Sequence, residues 1–564
     1  MPARCQSGSP PADVNHVDLR ARPRRPPRRA LLAVSLISVV TWWGCLWPLA
    51  AGRGSNSSSA GGRSSSAGGK DSLVASHCAR YSAFEAGIAE DLLPWYDQGI
   101  SEALADRLLQ ERSMGGRHRA PGLPLAVVGG RLYVVGLAGD GPGAADQQRI
   151  ANCWPWQAEN LVTYAHAMRR LVARWGGALP DLEFLVETQD APGQDMGVGG
   201  QGQPGAQPDP AAEWGVWPEP PARQHGRLPV MRHCKAATST DIAVPIFHMY
   251  TLRLDEALLA AGAQERLARD HPWEARQQAA FAAGTNYHRH QVVPSTLKQW
   301  DGKNRGKTVE MVREALADYL AQELQHPNIT YSKGSTPIAD WARYRMVMHV
   351  DGISCSSRIV QLLALGSVVL REQSGYMGFY DRLLTKFVHY VPFWSQRPRE
   401  VLWAYNWVLA NDEAARAIAA RGQAFARHFL SREAVECFWL LLLRHYARLQ
   451  RFRPGTRAVA AAAAAARNSI GTGGAQQLVL TPIDDWLAKQ EGTVSGWAPT
   501  HVADRGGELD LLPAVDMTAA AAVAGGQGGG AGAAAATAAG AAGAPGAVAG
   551  TGRIGGKGAA GRAS

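Results

Sequence analysis

The sequence predicts an α/β fold in which two α/β halves flank a cleft, and three observations carry that prediction. The run MVMHVDGISCSSRIVQLLALGSVVL starts at Met346 and reads as strand, turn, helix, strand. MVMHV is short, apolar and β-prone. DGISC is a turn with its own glycine. Ile359, Leu362, Leu363 and Leu365 then recur at helical spacing, the helix stops at Gly366, and SVVL forms a second apolar run. That order favours a parallel sheet. Well upstream, NLVTYAHAMRRLVARWGG is an amphipathic helix followed by the strand LEFLVE. Finally, 564 residues with a hydrophobic content of 46% are enough for two or three domains.

The elements follow in order. Residues 1–30, with RARPRRPPRR, form a disordered basic tail. Residues 31–51 are about twenty uncharged apolar residues, enough to cross a bilayer as a helix. Trp42, Trp43 and Trp47 suit its interfacial end, and the preceding arginines stay cytoplasmic, so the rest of the chain lies on the lumenal side. This predicts a single-pass type II protein. A cleaved signal peptide, with Ala50, Ala51 and Gly52 as its cleavage site, is the alternative, and a plastid transit peptide is the third. Residues 52–77 are a flexible Gly/Ser stem.

The folded region starts near Cys78 and divides into an N-terminal α/β domain at 78–260 and a second domain at 261–453. In the first, LPLAVVGGRLYVVG reads as a hairpin. Leu182 to Glu187 is a strand, and residues 188–192 form an exposed turn. Residues 193–227 are rich in Gly, Pro and Gln and mark an insertion. DEALLAAGAQERLARDHPWEARQQAAFAAG reads as mostly helix. NDEAARAIAARGQAFARHFL is an amphipathic packing helix. Residues 454–564 read as a largely disordered Ala/Gly-rich tail. Within it, an alanine run at 459–466 could add one helix, and from Ala514 onward too little surface can be buried to offset the cost of ordering.

Composition excludes several classes. The net charge of +10 is concentrated in the basic lead and in scattered arginines. No aromatic-interleaved basic stripe appears, so a nucleic-acid partner is set aside. Seven cysteines without a CxxC pair make a zinc site unlikely to be the reason for them. In an oxidising lumen distant cysteines can pair. Asn56 (NSS) and Asn328 (NIT) are N-glycan acceptors if lumenal.

Two places carry chemistry. The DGISC turn delivers Ser354, Ser356, Ser357 and Arg358 to a helix N-terminus, where backbone N–H groups and the positive dipole end favour an anionic phosphate. Arg358 adds a planar cation that forks onto phosphate oxygens. The alternative is an ordinary capped helix with a surface arginine. Asp190 lies just past a strand's C-terminal end, where α/β sheets face a ligand crevice. Its alternative is a turn-forming aspartate before the prolines downstream.

DGISCSSRIVQLLALGSVVL, GFYDRLLTKFVHYVPFW, NDEAARAIAARGQAFARHFL and ECFW together resemble the donor half of the CAP-type glycosyltransferases. That family includes the protein O-glucosyltransferases and fungal capsule xylosyltransferases. The resemblance covers roughly residues 78–449 and is strongest in the second half. It implies a GT-B fold, with two Rossmann-like domains facing a cleft, and the final helices returning to the first domain. It implies an inverting transfer of glucose or xylose from a UDP-sugar to a protein Ser/Thr or glycan hydroxyl, in the Golgi or endoplasmic reticulum, with no cofactor or metal. No DxD motif stands in a suitable turn, and Asp484 and Asp485 read as a helix start.

The resemblance also implies site roles. Asp190 becomes the catalytic base, with Ala191 in place of the usual aromatic residue and Glu187 and Asp181 as backups. Asp241, in TDIAVPIF, is the acceptor-side candidate, alternatively a structural cap. Gly284, Thr285 and Arg289 belong to a phosphate-side motif in which Ala283 stands where Arg or Lys is usual. One cation is then missing unless His288, Arg289 or His290 compensates. Gly352, Ile353, Ser354, Cys355, Ser356, Ser357 and Arg358 contact the nucleotide and diphosphate. Glu372 is a candidate for a ribose or sugar hydroxyl, and His389 and Tyr390 for packing. Cys78 pairs with Cys437, while the other donor-domain disulfide is absent because Leu365 occupies one of its positions. The sequence FHMYTLRLDEALL replaces the Trp/Pro-rich loop that touches a peptide acceptor. That departure and Ala283 motivate an alternative: a non-catalytic lumenal member, lectin-like or chaperone-like.

Overall fold

The computed structural model describes residues 67–112, 122–138, 155–190, 227–237, 239–252, 254–287, 289, 311–334, 336–395, 397–455, 457 and 477–490. The basic tail, the apolar segment 31–51, Asn56, the core of the insertion, the alanine run and the C-terminal low-complexity tail lie outside the described residues. Among the described residues no helix is long and apolar enough to cross a membrane.

The first lobe contains β1 (Leu123–Val128), β2 (Arg131–Ala138), β3 (Leu182–Glu187), β4 (Val230–Arg232), β5 (Lys235–Ala236) and β6 (Ile242–Ala243). The second contains β7 (Gln277–Gly284), β8 (Ile329–Lys333), β9 (Tyr344–His349), β10 (Val368–Glu372), β11 (Tyr376–Met377) and β12 (Val391–Phe393). One more strand, β13 (Gln477–Pro482), follows late in the chain. The fold is mixed α/β, as the patterning implies.

The second lobe's sheet runs β12-β10-β9-β7-β8 with every pairing parallel. In chain order that is 2-1-3-4-5, a doubly wound sheet. The first lobe departs from a Rossmann-like sheet. Its order is β13-β2-β1-β3-β4-β6, and only β3, β4 and β6 are parallel. The expected hairpin is the cause: β1 and β2 pair antiparallel, and β1 then lies antiparallel along β3. Gly129 and Gly130 close the two-residue turn with φ of 56° and 75°. Positive φ at both central residues is what a hairpin turn matched to strand twist demands.

Two segments form elements other than those read from the sequence. QQAAFAAG, read as the end of a helical stretch, is β7, lying between β8 and β9. Ala280, Ala282 and Ala283 are at most 2% exposed. Alanine favours a helix in isolation, but here the chain is enclosed by two neighbouring strands and tertiary packing decides. Phe281 secures the strand by stacking on Tyr344 at 4.6 Å and meeting Trp341 edge-on at 5.0 Å. The second correction concerns the supposed tail. Residues 477–490 are folded: β13 pairs antiparallel with β2, and the helix Ile483–Gln490 follows with Trp486 fully buried. The apolar run QLVLTPIDDW supplies what the alanine-rich flanks lack.

The chain ties the lobes together at several points. The helix Arg432–Leu449 packs on the helix Phe84–Leu92 and on β3 of the first lobe. Cys437 on that helix is bonded to Cys78. Ile100 and Leu449 share a backbone hydrogen bond of 2.7 Å. Asp91 accepts from Lys235 Nζ at 2.7 Å, from Arg382 Nη2 at 2.7 Å and from the Ala243 backbone N–H at 2.9 Å. β5 of the first lobe pairs antiparallel with β11 of the second. A second disulfide joins Cys234 to Cys355 across the same junction. The sequence reading anticipated no second bridge.

Candidate functional site

In a 2-1-3-4-5 parallel sheet the chain reverses its direction of growth between the first and third strands, here β7 and β9. Connections leave on opposite sides there and open a crevice beyond the C-terminal strand ends. β7 ends at Gly284 and β9 leads into Asp351 and Gly352. Both glycines make room. A Cβ on Gly284 would lie 2.9 Å from Arg358 Nη1 and 2.9 Å from Tyr331 Oη. A Cβ on Gly352 would lie 3.3 Å from Arg313 Nη2. Two guanidiniums therefore press against bare backbone at this switch point.

Neither cation has a carboxylate in salt-bridge range among the described residues. Arg313 is buried and donates to the carbonyls of Val350 (3.1 and 3.2 Å) and Thr285 (3.0 Å) and to Ser356 Oγ (3.3 Å). Arg358 opens the helix Arg358–Ala364 and lies over the Trp341 ring at 5.6 Å. Burial, and after it the neighbouring Arg313 charge, lower the pKa of Arg358. Two like charges held together without a counterion form a place where an anion is favoured. Uncharged donors stand beside them. Tyr331 Oη and Ser354 Oγ are buried, with no hydrogen-bond partner among the described residues. Burial raises the Tyr331 pKa, so its phenol keeps its proton for donation.

The loop beneath them is held by hydrogen bonds to Asp351. Asp351 Oδ1 accepts the Ser356 N–H at 2.8 Å and Oδ2 accepts Ser374 Oγ at 2.5 Å. The Asp351 N–H donates to Glu372 Oε2 at 3.0 Å. Arg289 corrects an expectation. It does not face the crevice as a free cation but is buried in a bidentate pair with Glu372, at 2.6 and 2.9 Å. Burial works against its charge, and Glu372 with Asp351 more than compensates, so its pKa is raised. The pair also removes Glu372 from contact with a sugar. Glu372→Gln is expected to cost about 3–5 kcal/mol by leaving the buried Arg289 charge uncompensated, read as a lower denaturation midpoint in urea.

Cys355 enters the same loop through a disulfide. Its sulfur is bonded to Cys234, so it offers a ligand no thiol, and its N–H points to Cys234 Sγ at 3.1 Å. The Ile353 carbonyl accepts Tyr376 Oη at 3.3 Å. Ser357 precedes the helix without a side-chain cap bond. Thr285 is exposed, its carbonyl taken by Arg313.

In the first lobe the carboxylates separate cleanly. Asp190 stands three residues beyond β3 with its side chain 28% exposed. Glu187 is fully buried and paired with Arg232. Asp181 sits at the other end of β3, where it accepts the Gly129 N–H at 2.8 Å and fixes the hairpin turn. Asp241 is a correction: it is 2% exposed and lies 3.5 Å from Arg232 Nε. It neutralises a buried cation instead of meeting an acceptor. Among the four, Asp190 alone combines exposure with a position at the cleft end of the strand.

Short links connect Asp190 to the cationic pocket. His233 Nε2 is 3.7 Å from Asp190 Oδ1. Its chain neighbour Cys234 is bonded to Cys355, with 5.5 Å between their Cα atoms. Arg358 is three residues on, at most ~11 Å of extended chain. Away from this region, His389 accepts the Thr385 N–H at 2.9 Å and packs on Phe425, and Tyr390 lies under Arg371. Asn328 is exposed just ahead of β8. Sequence reasoning missed Arg313, Tyr331, His233 and Cys234. For Arg313 and Tyr331 no local motif exists, because separate segments bring them to the pocket.

Comparisons with known proteins show the family of the chain. A family model described as "Glycosyl transferase family 90" matches residues 74–479. Protein O-glucosyltransferase 2 of Danio rerio is 31% identical over 169 residues, 28% of this chain and 34% of the relative. Human protein O-glucosyltransferase 3 is 23% identical over 50% of this chain and 49% of its own length. Human protein O-glucosyltransferase 1 is 23% identical over 48% of this chain and 64% of its own length. The chain thus spans 34% to 64% of the length of these curated relatives. A solved Anabaena protein in complex with UDP-glucose is 13% identical over 30% of this chain and 48% of that one, with a TM-score of 0.19, too small a likeness to bear on the fold.

Proposed function

The chain belongs to glycosyl transferase family 90, and on that premise we propose that it transfers glucose or xylose from a UDP-sugar to a protein Ser/Thr or glycan hydroxyl, inverting the anomeric carbon. The observation that carries this reading is the pair Arg313 and Arg358, two guanidiniums without a carboxylate partner among the described residues, at the switch point of a parallel sheet. A diphosphate is an anion whose charge two guanidiniums can match. The relatives' names favour glucose and a protein hydroxyl.

In the proposed reaction Asp190 takes the proton as the acceptor O–H bond breaks. The acceptor oxygen bonds to the anomeric carbon from one face. The bond from that carbon to the diphosphate oxygen breaks on the other, and its electron pair leaves on UDP. Arg313, Arg358, Tyr331 and Ser354 meet the growing charge, which stabilises the transition state more than the ground state. In this reading the two guanidiniums neutralise the leaving group, so the transfer is metal-independent. The doubly wound lobe holds the donor, and the first lobe carries the base and receives the acceptor, in a GT-B-like division of labour. Residues 31–51 anchor the protein in the Golgi or endoplasmic reticulum membrane with this unit lumenal.

Ala283 does not favour the non-catalytic alternative. Its side chain is buried in β7, and Arg313 brings a second cation to the pocket. The test is UDP release by the full chain from UDP-glucose and UDP-xylose, with and without chelator. One of the two donors should be turned over in both conditions. UDP release from neither would reject the reading.

A further inference from the structure

His233 is a polar group close to Asp190 that the proposed reaction leaves unused. Its side chain is fully buried, and among the described residues both ring nitrogens lack a hydrogen-bond partner. Burying an imidazole without partners is destabilising and calls for a reason. The Phe247 ring meets it edge-on at 5.2 Å. The charged residues beside it along the chain are engaged elsewhere: Arg232 with Glu187 and Asp241, Lys235 with Asp91. What remains in front of Nε2 is Asp190 Oδ1, at 3.7 Å.

We propose that His233 is a positioning residue for the base, its Nε2–H donating to Asp190 Oδ1 so that the other carboxylate oxygen is held toward the acceptor hydroxyl. This rests on the reading of Asp190 as the base. Exposure decides the order of the pair. Asp190 is 28% exposed and can meet an acceptor, whereas His233 has no exposed side chain and cannot. Catalytic hydrogen bonds are commonly long in unliganded structures and shorten around substrate, so the 3.7 Å separation fits a bond that closes in the loaded site. No proton moves on His233 in this scheme: Asp190 receives the acceptor proton, and the imidazole keeps its own.

The histidine is itself braced from both sides. Arg232, before it, is locked in the buried pairs with Glu187 and Asp241, and Cys234, after it, is bonded to Cys355 in the donor-side loop. Bracing of this kind holds a working side chain within the narrow tolerance that catalysis needs.

The experiment compares His233→Phe with His233→Gln in the full chain. Phenylalanine keeps a ring but has no N–H. Glutamine fills the space less well but can donate. UDP affinity and sugar-transfer kinetics are measured for both, beside the wild type and Asp190→Asn. The Phe variant should bind UDP and show a KM for the donor as in the wild type, with kcat lowered 10- to 100-fold. The Gln variant should recover kcat to within about threefold of wild type. A Phe variant with kcat within twofold of wild type overturns the proposal. So does loss of UDP binding together with turnover in both variants, which would mean that His233 only packs. Wild-type turnover that survives Asp190→Asn overturns the base assignment first and this proposal with it, so the two failures are told apart.

Discussion

Arg358→Ala should abolish measurable sugar transfer while leaving the protein folded. The two effects separate because of how Arg358 is held. Its guanidinium is partly desolvated, close to Arg313, and has no carboxylate in salt-bridge range among the described residues. In the empty protein that arrangement is unfavourable, so truncation removes a repulsion and should leave the unfolding midpoint unchanged or slightly raised. In the loaded site the same cation faces a diphosphate, and removing one such donor typically costs ~3–4 kcal/mol of barrier, or ~100- to 1,000-fold in kcat. UDP affinity should fall at the same time, and calorimetric titration of UDP reads it directly. Arg358→Lys should recover little, because an ammonium keeps the charge but loses the planar fork that two phosphate oxygens accept. An unchanged UDP affinity in the alanine variant would remove Arg358 from the donor site. Arg313 cannot serve the same test. It holds the carbonyls of Val350 and Thr285, and its loss would loosen both strand ends as well as the pocket.

How much of this was legible beforehand divides along physical lines. The strand–turn–helix–strand run around Gly352 and Arg358 is local: its apolar spacing, its glycines and its helix stop lie within one stretch of chain. Pattern reading captures such units, and β9, the helix Arg358–Ala364 and β10 follow it closely. The hairpin closed by Gly129 and Gly130 is legible for the same reason. β7 was not, because QQAAFAAG carries the composition of a helix, and only its enclosure between β8 and β9 makes it a strand. Arg289 shows the same limit in the site. A single arginine beside Gly284 and Thr285 reads as a phosphate ligand, but its fate is decided by Glu372, far along the chain. Arg313 is the converse, since nothing in VREALAD announces a ligand. It reaches the pocket because the helix Val312–Asp318 returns beside β7 and β9, as its bonds to Thr285 and Val350 record. Whether a charged side chain faces a crevice or a buried partner is a property of the tertiary fold, and spacing alone does not encode it.

Asp190→Asn should give the complementary phenotype, with UDP binding intact and turnover lost. The substitution keeps the shape of the side chain and removes its ability to accept a proton from the acceptor hydroxyl. General-base catalysis of this kind contributes typically ~100- to 10,000-fold, and the loss should fall on kcat with little change in the KM for the donor. Its position supports that split. Asp190 belongs to the turn after β3, while the groups argued to hold UDP stand on β8, on the loop after β9 and on the helices that follow β7 and β9. Glu187→Gln provides the control. That carboxylate is buried against Arg232, so its variant should lose stability, by about 1.5–3 kcal/mol for a weakened charge-assisted hydrogen bond with Asp241 still beside the guanidinium, before it loses chemistry. If Asp190→Asn retained wild-type turnover while Glu187→Gln remained folded and inactive, the base would have to be sought in the buried cluster around Arg232. Exposure argues against that outcome, because an acceptor hydroxyl has to touch the group that takes its proton, and of Glu187, Asp190 and Asp241 it is Asp190 that is within reach of solvent.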